Sequence, residues 1–145
     1  YEAHAEHPGF DAWKPVLEQT SVLFVNEDGL ESLLPGLTMD QAAERILPLG
    51  VQYMVITCAE KGGAVFTKDQ SIQYRAYRAA HVADTTGAGD ASMAGIIYAT
   101  RQGYAADEIL AFGMGAGMVA IASSDTISRE MSPAAIETMV KEYIK

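Results

Sequence analysis

A short run of small residues that ends in an acid has the residue types needed for phosphoryl chemistry. Gly87, Ala88 and Gly89 stand directly before Asp90, and an apolar helical pattern follows. Glycine adopts backbone angles closed to other residues and lets a ligand approach the main chain. The first N–H groups of a helix have no partner inside the helix, so they can bind an anion such as a phosphate. The sequence therefore predicts an anion-binding turn at these residues.

Asp90 would lie at the edge of that anion pocket. A carboxylate beside a bound phosphate is electrostatically unfavourable unless it has a chemical task, and a fitting task is removal of a proton from an attacking hydroxyl. The predicted reaction is phosphoryl transfer to an alcohol, with Asp90 as general base and the backbone of Gly87, Ala88 and Gly89 as the anion hole. The structural alternative is a plain tight turn that leads into a packed helix.

Two other phosphate-binding patterns do not fit this turn. The stretch from Gly87 to Ser92 approximates the dinucleotide-binding fingerprint, but it ends in serine and no acidic residue closes a second strand at the required distance. A Walker loop needs Gly-Lys-Ser or Gly-Lys-Thr after its spacer, and the chain has neither. The turn therefore belongs to neither of these classes.

The elements around the turn predict an α/β fold. Tyr53 to Thr57 is a continuous apolar run, which is typical of a parallel strand covered on both faces. Three further strands are predicted at Val22 to Val25, Ala64 to Thr67 and Ile72 to Tyr77. Helices are predicted at Phe10 to Gln19, Gly29 to Leu34, Thr38 to Leu49, Ala91 to Gln102, Ala106 to Ser123 and Pro133 to Ile144. Strands alternating with helices indicate a sheet with helices on its faces, and polar Tyr1 to Gly9 is expected to be a loop.

Composition excludes several classes of partner. The 145 residues suggest one domain, and ten Lys plus Arg against nineteen Asp plus Glu give a net charge of -9. An acidic surface argues against nucleic acid or an anionic membrane as partner. Cys58 is the only cysteine, so no intrachain disulfide can form, and we expect a cytoplasmic protein. The sequence has no apolar run long enough to predict a membrane span.

The run around the turn also resembles a family signature. The residues Asp84-Thr85-Thr86-Gly87-Ala88-Gly89-Asp90 are similar to the C-terminal signature of the ribokinase-like (PfkB) carbohydrate and nucleoside kinases. Ser92 stands where many members carry Phe. The resemblance implies part of a three-layer α/β/α sandwich, with a mostly parallel sheet and helices on both faces. It also implies ATP-dependent phosphorylation of a small sugar or nucleoside, with ATP and Mg²⁺ as cofactors.

The same resemblance implies metal and phosphate contacts after the first strand. Asn26 matches the start of the family's Asn-x-x-Glu motif, but Gly29 replaces the motif Glu. Glu27 or Asp28 is expected to serve Mg²⁺ through a water, because Mg²⁺ commonly keeps several waters. A solvated helix start is the structural alternative for the acidic residues here.

Nucleotide contacts are implied at two other places. Thr57 and Gly62 match the family's Thr-x-Gly-x-x-Gly nucleotide loop, in which Ala59 replaces a glycine; a plain hairpin turn is the alternative. Gly115 lies in a helix rich in small residues, where the family places adenine. Glycine inside a helix costs roughly 1 kcal/mol against Ala, so the alternative explanation for Gly115 is close packing.

A monovalent cation is implied near the first signature residue. In many family members this Asp and a nearby carbonyl hold such an ion, so Asp84 and Thr86, with the loop Ser123 to Asp125, are candidates for binding K⁺. The tail from Phe112 to Pro133 looks most like pseudouridine kinases, so pseudouridine is the leading acceptor and a sugar the runner-up.

The resemblance covers nearly all of the chain but only the C-terminal half of the family fold. Residues 1–145 are therefore expected to be a single domain, the nucleotide-binding half, without the half that binds substrate and carries the lid. On its own this half is expected to be inactive, and its open strand edge favours self-association, with a homodimer as the simplest product. A non-catalytic nucleotide-binding module of the same fold and an unrelated flavodoxin-like domain are the alternatives.

Overall fold

The chain forms a four-stranded sheet with helices on both faces. The computed structural model describes residues 9–75, 82–125 and 128–143. Single 3₁₀ turns occupy Leu47–Leu49 and Ala59–Lys61. The other elements are, in chain order, α1 (Phe10–Leu17), β1 (Val22–Asn26), α2 (Glu27–Leu33), α3 (Met39–Ile46), β2 (Tyr53–Thr57), β3 (Gly63–Phe66), β4 (Ser71–Tyr74), α4 (Ala88–Gln102), α5 (Ala106–Ile121) and α6 (Pro133–Tyr143). The α/β class is confirmed.

The strands lie in the order β1-β2-β3-β4. β1 and β2 are parallel, whereas β2 with β3 and β3 with β4 are antiparallel. The described sheet is therefore mixed rather than mostly parallel, because short turns join the last three strands as hairpins. The register aligns four residues in one row across the sheet, namely Asn26, Thr57, Gly63 and Tyr74.

The two faces of the sheet carry separate cores. Met54 and Ile56 of β2 pack in one core with residues of α1, α2 and α3. Val55, between them in sequence, packs in the other core with residues of α4, α5 and α6. Successive side chains of a strand point to opposite faces, so a strand that serves two cores must be apolar throughout. The prediction of an apolar strand covered on both faces is confirmed, and this strand is parallel to β1 but antiparallel to β3.

The helix signals in the sequence are largely confirmed. Thr38 and Gln41 form a reciprocal capping box at the start of α3. The Ser132 hydroxyl accepts a hydrogen bond from the Ala135 N–H at the start of α6. Several boundaries differ by two or three residues; in particular, α2 begins at Glu27, directly after Asn26, and α4 begins at Ala88, three residues earlier than predicted. The residues 1–8 of the predicted N-terminal loop and the residues 76–77 of the predicted fourth strand lie outside the described residues.

Part of the apolar surface stays open in this structure. β1 is at one edge of the sheet and its apolar residues are only half-buried. Met93 and Ile97 of α4 are 40% and 51% exposed. Self-association through such a surface stays a prediction. In the described ranges, no helix combines the length and the apolarity needed to cross a membrane.

Candidate active site

The residues of the predicted anion hole form the first turn of α4. Gly87 precedes the helix in a left-handed conformation with φ of 79°, a conformation that glycine adopts without strain. The Ala88 N–H donates to the carbonyl of Thr85 at 3.2 Å. Among the described residues, no side chain caps this helix, and no backbone carbonyl accepts from the amides of Gly89 or Asp90. We call Gly87 to Asp90 the signature turn; the amides that it leaves without an acceptor among the described residues include those of Gly89 and Asp90.

The signature turn is accessible from solvent. Gly89 and Asp90 are both exposed, and a Cβ at Gly89 would meet nothing within 4 Å. Asp90 lies in the first turn of α4, where a negative charge is favoured by the helix dipole. The geometry can therefore bind an anion at two open amides beside a carboxylate that can accept a proton.

Gly117 of α5 packs against the signature turn. A Cβ at Gly117 would lie 2.5 Å from the Ser92 hydroxyl oxygen and 3.4 Å from the Ala88 carbonyl oxygen. Ser92 is buried, with 8% exposure. Because Gly117 has no side chain and that of Ser92 is small, α5 can pack directly against the signature turn. The sequence alone did not connect Gly117 with Ser92, because helical spacing does not show which helix faces which.

The first signature residue is held by hydrogen bonds within its own turn. Asp84 Oδ1 accepts from the backbone N–H and from the hydroxyl of Thr86, both at 2.9 Å. These bonds favour the charged carboxylate and hold the pKa of Asp84 below its usual value. The backbone N–H groups of Ala83 and Asp84 donate to the Ile121 carbonyl at 2.7 and 3.4 Å. Asp84 and Thr86 therefore lie beside the end of α5, two residues before the 123–125 loop that was predicted with them.

At the carboxyl end of β1, the side chain of Asn26 is hydrogen-bonded to the backbone of the helix that follows. Its Oδ1 accepts from the Gly29 N–H at 2.7 Å and caps α2. A Cβ at Gly29 would lie only 2.9 Å from that oxygen. The departure from the family motif at Gly29 and the capping role of Asn26 are therefore linked in space, a link that the sequence alone did not predict.

The predicted nucleotide loop is a tight, internally bonded turn between β2 and β3. The Cys58 N–H donates to the Gly62 carbonyl and the Lys61 N–H to the Cys58 carbonyl, both at 2.9 Å. Ala59 has φ of 47°, and no other non-glycine residue in the described ranges has a positive φ. Gly62 also has a positive φ, 110°. Ala59 replaces the motif glycine, so its left-handed conformation costs roughly 1–2 kcal/mol. Burial raises the pKa of the Cys58 thiol, in keeping with a packing role.

A salt bridge joins this loop to the start of α2. Lys61 Nζ lies 3.3 Å from both carboxylate oxygens of Glu27. The two side chains are 67% and 42% exposed, respectively. Glu27, the predicted outer partner of Mg²⁺, thus has a cation beside it in this structure. Sequence reasoning missed Lys61, although a basic residue inside a predicted phosphate loop of an acidic chain was an available signal.

Gly115 lies apart from the other candidate residues. It is buried against α6, where a Cβ would lie 2.9 Å from Val140 Cγ2 and 3.0 Å from the Ile136 carbonyl oxygen. Close packing therefore accounts for this glycine, and the packing is against a helix rather than against the sheet. Contact of adenine with this part of α5 stays a prediction.

α5 packs against both the signature turn and the start of β3, which pairs with the end of β2. A Cβ at Gly63, which pairs with Thr57, would lie 3.7 Å from Met114 Sδ. Gly117, beneath the signature turn, follows Met114 by three residues, which is roughly 5 Å along a helix. The structure therefore places the candidates around Asn26, Thr57 and Gly62 at one end of the sheet and connects them through α5 with the signature turn. It leaves Gly115 on the other side of α5, toward α6.

Comparison with known proteins identifies the relatives of this chain. The pfkB family carbohydrate kinase model matches residues 7–133. The chain is 35% identical over 91 residues to a nucleoside kinase from Methanocaldococcus jannaschii and 31% identical over 112 residues to a ribokinase from Arabidopsis thaliana. These matches cover 61% and 73% of this chain.

Solved structures show the same fold. The A. thaliana ribokinase in complex with ribose and ATP matches 96% of this chain with a TM-score of 0.78 and 26% identity. A candidate ribokinase II from E. coli, in complex with ATP and Mg²⁺, matches 90% with a TM-score of 0.80 and 24% identity. The chain spans 28% and 30% of the lengths of the two relatives above and 46% and 42% of these two structures. The expected ribokinase-like α/β fold is confirmed.

Proposed function

Because the chain belongs to the pfkB family of carbohydrate kinases, we propose that it is the nucleotide-binding and catalytic part of an ATP-dependent kinase for a sugar or nucleoside. The observation that carries the proposal is the signature turn, which sets two open amides beside an exposed carboxylate at a helix start. Pseudouridine is the leading acceptor and a sugar the second. Because the chain spans under half of the solved relatives, most acceptor contacts are expected outside it.

In the proposed mechanism Asp90 accepts the proton of the acceptor hydroxyl as its oxygen attacks the terminal phosphorus of ATP. The bond from that phosphorus to the bridging oxygen of ADP breaks, and the phosphoryl group passes to the acceptor. The amides of Gly89 and Asp90 donate hydrogen bonds to the phosphoryl oxygens, where negative charge is distributed during transfer. Asp84, fixed by Thr86, orders the backbone that leads into the turn.

Magnesium, when bound to the nucleotide, neutralises phosphate charge. The donors near the strand ends are the Asn26 amide oxygen and the Glu27 carboxylate, and oxygen ligands are those that Mg²⁺ prefers. Both oxygens already have partners in this structure, so they fit contact with the ion through water better than direct coordination. Potassium would be held beside Asp84 and the 123–125 loop. A cytoplasmic location and a single domain over residues 1–145 belong to the same proposal.

The test separates chemistry from binding. In a longer protein that contains this chain together with the expected acceptor-binding half, Asp90→Asn should lower the rate of ADP formation from ATP, with pseudouridine or ribose as acceptor, by about 10²–10⁴-fold, the usual contribution of a general base. Its affinity for Mg-ADP, measured by calorimetry, should stay close to that of the original chain. If that longer protein and its Asp90→Asn variant phosphorylate the acceptor at the same measurable rate, Asp90 is not the base.

Gly89→Val is the matched variant for the anion hole. The open space around Gly89 means that the fold should survive this change, whereas Gly87→Val would strain a left-handed residue. We expect Gly89→Val to lose Mg-ADP binding because the side chain covers the open amides. A folded original chain that binds no Mg-ADP would contradict the nucleotide site.

A non-catalytic nucleotide-binding module is the second candidate. The observation that favours it is the altered β1 end, where Gly29 replaces the motif Glu and Asn26 caps α2. Binding of Mg-ADP without turnover of ATP by any protein that contains this chain would select this candidate.

A further inference from the structure

We propose that Lys61 is a phosphate-binding residue of the nucleotide site. Without phosphate, Lys61 forms a salt bridge with Glu27, and a bound phosphate displaces the Glu27 carboxylate. The inference rests on the proposed function and assigns a ligand contact to a residue that lies outside the motif positions. Lys61 lies in the turn between Thr57 and Gly63, which belong to the row of residues at one end of the sheet. In open α/β sheets, ligands gather beyond the carboxyl ends of the parallel strands.

The backbone of the turn between β2 and β3 fixes the position of Lys61. Hydrogen bonds of 2.9 Å on either side of the turn and the left-handed residues Ala59 and Gly62 leave it little freedom. Backbone strain in a non-glycine residue persists only where the surroundings impose it, and it is found preferentially at ligand sites. The strain at Ala59 is thus a second observation, independent of charge, that this turn has a binding task.

A contribution to the stability of the fold is a poor explanation for the pairing of Lys61 with Glu27. Lys61 and Glu27 are 67% and 42% exposed, and exposed ion pairs contribute little to stability. A phosphate oxygen offers the ammonium group a more highly charged partner than one carboxylate does. The pair therefore keeps Lys61 near the strand ends without binding it so strongly that a phosphate could not displace Glu27. The displaced carboxylate is then free to accept hydrogen bonds from water on Mg²⁺.

The chain offers a matched control for charge. Lys68 is exposed and follows Phe66, the last residue of β3, at the opposite end of the sheet from Gly63. Lys61→Met and Lys68→Met each remove one positive charge from a chain of net charge -9. A general electrostatic effect would weaken ADP binding in both variants, whereas a direct contact would weaken it in the first alone.

The experiment measures ADP affinity by calorimetry, once with EDTA and once with Mg²⁺. Lys61→Met should weaken ADP binding about tenfold in both conditions, the size expected for the loss of a charged hydrogen bond. Lys68→Met and Lys61→Arg should bind like the original chain. Glu27→Gln should bind ADP more tightly in EDTA, because the lysine no longer has a competing partner, and less tightly than the original chain in Mg²⁺.

Several outcomes would overturn the inference. Equal affinities of Lys61→Met and Lys68→Met would show that Lys61 makes no phosphate contact, while the proposed function would stand. Weaker ADP binding by Glu27→Gln in EDTA would show that the carboxylate is not displaced. If the folded original chain binds no ADP, both the inference and the nucleotide site fail. Unfolding curves in urea should coincide for the lysine variants, which excludes a loss of fold as the cause.

Discussion

The signature turn and the carboxyl ends of β1 and β2 differ in how their polar groups are used. At the signature turn the motif is intact, and the amides of Gly89 and Asp90 have no acceptor among the described residues. At the strand ends the motif departs at Gly29 and Ala59, and the functional side chains are engaged within the protein. At the signature turn two backbone amides thus stay open to a ligand, whereas at the strand ends the polar side chains already have partners within the protein.

The largest expected effect concerns the support of the signature turn. Gly117→Ala would place a methyl group 2.5 Å from the Ser92 hydroxyl oxygen, and overpacking of this kind costs about 1–3 kcal/mol. We expect a loss of that size in the free energy of unfolding, measured in urea, together with weaker Mg-ADP binding.

The double variant Gly117→Ala, Ser92→Ala is the matched control for this support. It removes the obstructing oxygen and leaves the Ser92 Cβ position 3.8 Å from the new methyl group. Most of the stability should return. A double variant as unstable as Gly117→Ala alone would show that Ser92 is not the obstacle.

Restoring the motif at the strand ends should make the two regions more alike. Gly29→Glu returns the family's acid, requires the Asn26 side chain to move, and adds a charge near the expected ion. An extra charge at about 4 Å in a water-like medium is worth about 1 kcal/mol, so Mg-ADP affinity should rise about fivefold relative to ADP in EDTA. Gly29→Gln, of the same size but uncharged, should show no such gain; an equal gain would mean that the side chain acts by stabilising α2.

The next prediction concerns only the free energy of unfolding. Ala59→Gly relieves a left-handed alanine, but glycine has more freedom in the unfolded chain, so we expect a net gain of about 0.5–1 kcal/mol in the free energy of unfolding. Ala94→Gly, at an exposed position inside α4, should lose about 1 kcal/mol. If Ala59→Gly is less stable than the original chain, the turn does not hold residue 59 in a left-handed conformation.

The smallest expected effect is on the pKa of Asp84, in the segment that precedes the signature turn. The pKa of Asp84 is lowered first by the Thr86 backbone N–H and then by its hydroxyl. Thr86→Val removes only the hydroxyl, so the pKa of Asp84 should rise part of the way toward its ordinary value, as measured by NMR titration. A lowered pKa stabilises the folded state above the unfolded-state pKa, and that stabilisation disappears as the pH falls through the folded-state pKa.

Thr86→Val should therefore lose less stability than the original chain between neutral and acidic pH. Thr85→Val is the control, because Thr85 contributes to the low pKa of Asp84 through its backbone only. A pKa of Asp84 that moves equally in both variants would contradict the role of the Thr86 hydroxyl.

The sequence predicted what depends on local pattern. The strand Tyr53–Thr57, the capping box at Thr38 and the helix that follows Asp90 all follow from periodicity and capping residues. The earlier start of α4 was missed because a left-handed Gly87 can begin a helix before small residues that carry no helical periodicity. The mixed sheet was missed because strand direction depends on how loops close, and a family resemblance to a mostly parallel sheet outweighed the short hairpin turns.

The candidate site divides in the same way. The position of Asp90 beside open amides was predictable because a motif specifies its own local backbone. The pairing of Glu27 with Lys61 and the fit of Gly117 beneath Ala88 were not, because each joins residues about 30 apart in sequence. Such contacts depend on the packing of whole elements, and one sequence without that packing carries little trace of them.

The two-sided burial of β2 has a consequence for the kinds of mutation this chain can tolerate. Val55 serves one core while Met54 and Ile56 serve the other, so exchange of one apolar residue for another perturbs a single face. Deletion of one residue would instead send each following side chain to the opposite face and would draw Thr57 out of line with Asn26 and Gly63. Variation within Tyr53–Thr57 is therefore expected as changes of residue type at constant length.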